Sequence, residues 1–600
     1  MTEHSQGMHN AMTDMVGMAV KASDQFVQLM QQVSSKTTSD DDPSASVMTD
    51  FNEAFEEFTG KLSEDPNAIL EGQVSLMKDQ MNLWQQTALK FAGFDSVPVI
   101  EPEKSDRRFS DDEWSSNIVF DYIKQLYLLQ SKAVNRLVDG VDDLSDNTKG
   151  KVDFLVRQYV SALSPSNFAG TNPEVIRKTF QTGGQNLVTG MEQLSSDLKG
   201  SFGGLNVTMS DKRAFKVGSN VATTPGQVIF ENELMQLIQY TPATEKVFKR
   251  PLLVIPPFIN KYYILDLREN NSYLKWLVDQ GHTVFCISWV NPGPRLKNKG
   301  FDDYMLEGPI AALDVIKKAT GEEDVNAIGY CLGGTLLAAT LAYMKKKKDT
   351  RIKSATYLAT LIDFKDPGEI GIYINETAIS ALEKQMNTLG FYDGRMMAFS
   401  FNLLRENDLF WSFFVNNYLK GERPAAFDLL YWNTDSTNLP AKMHSFYLRN
   451  MYLHNRLIEK DGIELDGVKL DLSQVDTPSY FLSAAQDHIA KWQGTYDGAK
   501  VFSGDVKYVL AGSGHIAGVV NPPSANKYGF WLNDDMPKES SEWFKGAQKN
   551  EGSWWTDWQD WISKSKPKKV NSRTPGEGDI KVIEAAPGSY VSQSIIDVIS

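Results

Sequence analysis

The feature that most constrains this chain is the stretch VNAIGYCLGGTLLAATLAYM. A short β-prone run, Val325–Ile328, leads through Gly329-Tyr330-Cys331-Leu332-Gly333-Gly334 directly into a helical pattern. A strand that turns into a helix within one residue holds that residue in a strained backbone conformation, and small neighbours are needed for the two elements to approach. Gly329 and Gly333 meet that need, so the turn presents Cys331 at a helix N-terminus, where the dipole favours a thiolate. The pattern is the G-x-S-x-G nucleophile elbow with cysteine in place of serine.

Such an elbow needs a sheet around it, and the chain supplies one. From about residue 215, β-type runs (GQVIFENELMQLIQY, PLLVIPPF, HTVFCISWV) alternate with helical ones such as SYLKWLVDQG, and a second series returns near 478–515. Strand–helix alternation predicts a largely parallel sheet covered on both faces. The fold expected for 206–600 is therefore α/β, of the α/β-hydrolase type. Between about 365 and 450 the alternation gives way to aromatic-rich segments (MMAFSFNLLRENDLFWSFFVNNYLKG), which read as an inserted cap. The tail from about 563 to 600 reads as a loosely held extension.

Residues 1–205 read as an all-α N-terminal domain, with apolar stripes near period 3.6 in FNEAFEEFTGKL and NIVFDYIKQLYLLQSKAVNRLV. Within it, 1–48 is expected to be flexible. Met8, Met12, Met15 and Val16, then Phe26, Leu29, Met30 and Val33, recur at helical spacing ahead of the polar linker SSKTTSDDDPSAS. An ordinary packing helix is the simpler reading of 1–34, and a helix touching a partner or lipid-like surface is the alternative.

The elbow also predicts the chain order nucleophile, acid, histidine. TPSYFLSAAQDH offers a strand ending at Asp487, and VKYVLAGSGH offers another ending in a glycine-flanked loop at His515. His488 is the rival histidine and Asp363, at the end of YLATLID, the rival acid. Cys286, inside the apolar run HTVFCISW, reads as a structural thiol. Two backbone N–H donors should face a developing oxyanion. Leu332, after the nucleophile, is one. Phe258 is the first candidate for the other, because Pro256 and Pro257 carry no N–H.

Bulk properties exclude several classes. A net charge of −15 disfavours a phosphate backbone as partner. Two cysteines cannot build a disulfide framework, and the seven histidines lack metal-ligand spacing, so a structural or catalytic zinc has little support. No segment reads as a signal peptide or spanning helix, which makes the cytoplasm the default compartment. Cysteine also bears on the reaction. A thioester substrate exchanged onto sulfur stays activated for transfer to a hydroxyl, which favours an acyltransferase over a hydrolase.

With these residues in view, the chain resembles the class I polyhydroxyalkanoate synthases. The likeness rests on PEKSDRRF, RQYVSALSPSNFAGTNPEV, PPFINKYYILDL, ISWVNPG, IGYCLGG, FDLLYWNTDSTNLP, YLRNMYLHN, QDHIAKWQGTY and GSGHIAGVVNPP, in order between roughly 85 and 565. The resemblance implies a polyester synthase acting on (R)-3-hydroxyacyl-CoA, short-chain such as 3-hydroxybutyryl-CoA, with release of CoA. Cys331 would carry the acyl chain, His515 would activate it, and Asp487 would assist the attacking hydroxyl. It also implies no metal or tightly bound cofactor, CoA being only the leaving product, and a homodimer at the surface of polymer inclusions with granule-associated proteins as further partners. A cysteine-type thioesterase or polyester depolymerase on the same triad is the alternative enzyme. A granule-binding protein with a decayed hydrolase fold is the non-enzyme alternative.

Overall fold

The computed structural model describes residues 43–199, 205, 207–564 and 567–599. The helical pattern read in residues 1–34 lies outside them. The chain forms two compact units, Met1–Asp211 with Phe399–Ala425, and Lys212–Ala398 with Ala426–Ser600.

The first unit is helical. Its elements are α1 (Pro43–Glu64), α2 (Pro66–Phe91), α3 (Ile118–Asp139), α4 (Asp146–Ala162), α5 (Pro173–Thr182) and α6 (Gln185–Lys199). Local chemistry sets several boundaries. Asp65, Asn117, Ser145 and Asn172 each accept a backbone N–H from the first turn of the helix they precede. The stretch read as one cap divides. Residues 399–425 belong to this helical unit because their aromatic side chains find their burial there, with Phe410, Trp411 and Tyr418 packed around Val207. Gly190 of α6 lets the chain come close, since a Cβ there would lie 1.8 Å from the Tyr418 carbonyl oxygen. Asn186 Nδ2 donates to Leu419 O at 2.8 Å, and Ser161 Oγ to Glu406 at 2.9 Å.

The second unit is built on an eleven-stranded sheet. Its strands are β1 (Gly226–Glu231), β2 (Met235–Tyr240), β3 (Leu252–Ile255), β4 (Val284–Trp289), β5 (Val325–Tyr330), β6 (Ile352–Leu358), β7 (Ser479–Ala484), β8 (Val506–Ala511), β9 (Phe530–Leu532), β10 (Gln548–Asn550) and β11 (Glu584–Ala585). Their order across the sheet is β10-β9-β8-β7-β6-β5-β3-β4-β2-β1-β11. The middle of the sheet, from β8 to β4, is parallel. Both flanks are antiparallel.

The parallel strands are buried on both faces, as their near-continuous apolar runs require. Successive residues of β3 alternate between two cores. Leu253 and Ile255 enter one, and Leu252 and Val254 enter the other. Helix α7 (Leu332–Lys347) follows β5 and is buried along twelve residues of its length, Gly333–Met344.

The tail differs from its expected looseness. Lys569–Asn571 pairs with Lys246–Phe248, and β11 pairs antiparallel with β1. Val591 and Ile595 are buried. The buried ammonium of Lys261 donates to the carbonyls of Val591, at 3.0 Å, and of Gln593. A charge placed in the interior needs such acceptors, so this contact ties the tail down. Composition alone, rich in Lys, Ser, Pro and Gly, concealed these short pairings.

Candidate active site

Between the end of β5 at Tyr330 and the start of α7 at Leu332 stands one residue, Cys331, at φ 53° and ψ −120°. A left-handed φ at a residue with a Cβ costs about 1–3 kcal/mol and persists only where the surroundings enforce it. Here they do. A Cβ on Gly329 would sit 2.4 Å from Gly334 Cα, and one on Gly333 would sit 2.1 Å from Ile255 O at the end of β3. The Cys331 N–H donates to Leu358 O at 2.9 Å, and the Cys331 carbonyl accepts from Gly334 N at 2.9 Å and Thr335 N at 3.2 Å. The thiol is therefore fixed at the N-terminus of α7 and is 9% exposed.

Asp487 follows the end of β7. Its Oδ1 accepts from the backbone N–H groups of Ile489 and Ala490, each at 2.9 Å, and its Oδ2 accepts from His515 Nδ1 at 2.7 Å. His515 lies on the loop after β8, just past Ser513 at φ 71°. Its ring stacks on Tyr330 with centroids 5.8 Å apart, and the Tyr330 hydroxyl donates to the His515 carbonyl at 3.2 Å. The residue before the cysteine thus holds both ring and backbone of the histidine. Burial alone would lower the pKa of His515. The charges of Asp487 and Cys331 and the hydrogen bonds to both outweigh it, so the imidazolium persists well above the usual histidine range.

The structure accordingly brings Cys331, Asp487 and His515 together. The rival groups are engaged elsewhere. Asp363 accepts from Asn455 Nδ2 at 2.7 Å and from Lys365 N at 2.9 Å. The His488 carbonyl accepts from Glu369 N at 3.2 Å, and the imidazole that meets Asp487 is that of His515. Cys286 is fully buried within β4, and burial, with Asp266 nearby, pushes its thiol well above the usual range.

Leu332 heads α7, where its N–H has no partner within the helix. Phe258 follows β3, the strand beside β5, and its carbonyl accepts from Thr437 Oγ1 at 2.9 Å. Two tyrosines escaped the sequence reading. Burial raises the phenols of Tyr447 and Tyr452, and Cys331 lies close enough that its charge raises both further. Tyr447 also meets the Phe258 ring edge-on at 6.5 Å, and its hydroxyl lies 3.5 Å from Thr335 Oγ1 of α7. Both come from YLRNMYLHN, a string whose spacing carries no motif of its own. Among the described residues no group of three or more His, Cys, Asp or Glu side chains converges as a metal site, and no helix is long and apolar enough to cross a membrane.

A cysteine elbow after the central strand, with an acid and a histidine at two later strand ends, defines an α/β-hydrolase-fold site. Residues 267–522 match the alpha/beta hydrolase fold family, and residues 105–277 match the family described as poly-beta-hydroxybutyrate polymerase (PhaC) N-terminus. A poly(3-hydroxyalkanoate) polymerase of Methylorubrum extorquens is 48% identical over 88% of this chain and 87% of its own. The corresponding PhaC subunits are 45% identical in Rhizobium etli (91% and 86% covered) and 38% identical in Cupriavidus necator (86% and 87% covered). The chain belongs to the poly(3-hydroxyalkanoate) polymerase family, whose members are acyltransferase enzymes.

Proposed function

We propose that this chain polymerises (R)-3-hydroxyacyl-CoA, with 3-hydroxybutyryl-CoA as the short-chain substrate, through a thioester on Cys331. The observation that carries the reading is the placement of His515 between the buried Asp487 carboxylate and the elbow thiol.

His515 takes the proton of Cys331 as the sulfur attacks the acyl carbonyl. The C–S bond to CoA breaks, and CoA leaves as its thiol with the proton returned by the imidazolium. A 3-hydroxyl of a second hydroxyacyl thioester then gives up its proton to the neutral imidazole, which Asp487 orients, and attacks the Cys331 thioester. An ester bond forms, the C–S bond to Cys331 breaks, and the chain is one unit longer. The N–H groups of Leu332 and Phe258 are assigned to the oxyanion in both steps. Thioester exchange is nearly even in energy, so the acyl group stays activated until the hydroxyl arrives, and the chemistry calls for no metal or resident cofactor. Residues 426–453, which bring Tyr447 and Tyr452 to the thiol, exclude water from the thioester. The same reading places a homodimer in the cytoplasm at the surface of polymer inclusions.

The test is incubation of the purified chain with 3-hydroxybutyryl-CoA, following free thiol and collecting insoluble polyester, beside Cys331→Ala. Thiol release with polymer, both absent in the variant, is the expected result. Thiol release with only soluble hydroxy acid would replace the polymerase by a thioesterase. Failure across a panel of longer hydroxyacyl-CoAs would end the proposal.

A further inference from the structure

Helix α8 (Trp554–Ser563) opens with Trp554, Trp555 and Trp558, each at most 1% exposed. Their rings gather on Tyr273, with centroids 5.6, 4.8 and 6.2 Å away. Packing accounts for the rings but not for the indole N–H groups, since a buried donor needs an acceptor. Trp558 Nε1 donates to Thr356 Oγ1 of β6 at 2.9 Å. The other two donors serve one segment. Trp554 Nε1 donates to Gly518 O at 3.0 Å and to Val519 O at 3.2 Å, and Trp555 Nε1 donates to Val519 O at 2.9 Å. Gly518 and Val519 stand three and four residues after His515.

That segment is a compact turn. The Gly518 N–H donates to Gly514 O at 2.8 Å, and the N–H groups of Val519 and Val520 donate to Ile516 O at 3.0 and 2.8 Å. These bonds set the shape of the turn, but its position has to be set from outside. Tyr330 holds one end through the His515 carbonyl, and the two indoles hold the other through the carbonyls of Gly518 and Val519. The fit is close, because a Cβ on Gly518 would lie 2.9 Å from Ala484 Cβ at the end of β7.

Helix α8 is in turn fixed to the sheet. Ser553 caps it by accepting the Trp555 N–H at 3.1 Å. Asp557 accepts from the Tyr480 hydroxyl of β7 at 2.9 Å and from Lys507 Nζ of β8 at 2.7 Å. β7 and β8 are the strands that lead to Asp487 and His515, so α8 ties the histidine turn to the strands that place the acid. We propose that Trp554 and Trp555 are positioning residues for the acyl transfer, their indole N–H groups fixing the turn after β8 so that His515 meets Asp487 and Cys331 together. The assignment rests on the reading of His515 as the base for Cys331. Without these donors the buried carbonyls of Gly518 and Val519 must turn toward other partners. The imidazole follows, because the bonds inside the turn make it move as a piece, and a shift of about 1 Å costs on the order of 100-fold in rate.

Three variants of the full chain test this, Trp554→Phe, Trp555→Phe and Trp558→Phe. Each removes one indole from the same buried cluster, so all three are expected to lower the melting temperature comparably. Only the first two release the histidine turn. Each of these is expected to lower kcat for thiol release from 3-hydroxybutyryl-CoA at least about tenfold with KM within about twofold, while Trp558→Phe keeps kcat. The imidazole supplies a readout that needs no substrate. By NMR of histidine-labelled protein, the titration of His515 should move to lower pH in Trp554→Phe and Trp555→Phe, where the Asp487 charge that raises it is held less closely, and should stay in place in Trp558→Phe. Replacing Trp555 by its benzothiophene isostere, which keeps the ring shape and lacks the N–H, separates donor from volume and should reproduce the loss. Equal loss of kcat in all three variants, kcat kept within about threefold in the first two, an unmoved His515 titration, or an isostere that behaves as wild type would each overturn the proposal. A wild-type chain that released no thiol from any hydroxyacyl-CoA would instead end the polymerase reading, and the His515 titration would still decide the role of the two indoles.

Discussion

Gly333→Ala tests how tightly the elbow is braced. Gly333 occupies the second position of α7, and a Cβ there would lie 2.1 Å from Ile255 O and 2.7 Å from Pro256 O. Both neighbours are backbone, so no side chain can swing away. Helix and strand end must separate by roughly 1 Å to restore ordinary contact. Overpacking of this kind costs about 1–3 kcal/mol, which a domain of this size survives. Catalysis should suffer more than stability. The displaced parts are the cysteine at the head of α7 and the loop carrying Phe258, the two sides of the proposed oxyanion site. A misplacement of about 1 Å costs on the order of 100-fold, and loss of one oxyanion donor about 100- to 1,000-fold. The expected result is a fall of at least about 100-fold in kcat for thiol release from 3-hydroxybutyryl-CoA. The melting temperature should fall by only a few degrees. Gly60→Ala is the companion measurement, because nothing lies within 4 Å of its added Cβ in α1. It should leave kcat alone and stabilise the chain by about 0.5–1 kcal/mol. Retention of kcat within about threefold by Gly333→Ala would refute the bracing argument, since the steric displacement leaves no route to a normal site.

Asp487→Asn removes the charge that helps hold His515 protonated. A raised folded-state pKa contributes stability that is present below the unfolded value of about 6.5 and is lost as pH rises through the folded value. Urea titrations should therefore show the gap between wild type and variant widest near pH 6 and narrowing as pH rises, and a gap that widens instead would contradict the assignment. Iodoacetamide should modify Cys331 alone in the native protein and both cysteines after denaturation, because Cys286 is fully buried in β4; peptide mapping that finds native Cys286 modified would count against that placement. Lys261→Met leaves the Val591 and Gln593 carbonyls without their donor, which should cost about 2–4 kcal/mol and expose the tail to proteases. An unchanged denaturation midpoint and cleavage pattern would show that the tail is held by something else.

What was legible in the sequence was local. Strand, turn and helix around Cys331 are contiguous, and the acid and histidine each follow a short apolar run, so one pattern named all three. Tyr447 and Tyr452 approach the thiol from more than a hundred residues downstream, through a segment with no period tied to the sheet. Residues 399–425 show the same limit. Their aromatic density announced burial, but only the approach at Gly190 and the bonds to Asn186 and Ser161 determine which unit provides it. The tail escaped because strand pairings of two or three residues leave no alternation to read.

That last pairing has a consequence for how the protein is made. β1 is among the first strands of the sheet to leave the ribosome, and its outer edge is closed by residues 583–586. The contact from Gln236, in the adjoining β2, to Glu584 spans 348 residues. At roughly 5–20 residues per second, that edge stays open for about 20–70 s of synthesis, with unpaired N–H and C=O groups offered to any passing strand. Slow elongation or crowded polysomes should therefore penalise the yield of this enzyme, and the vulnerable surface is a strand edge on the side of the sheet away from β10.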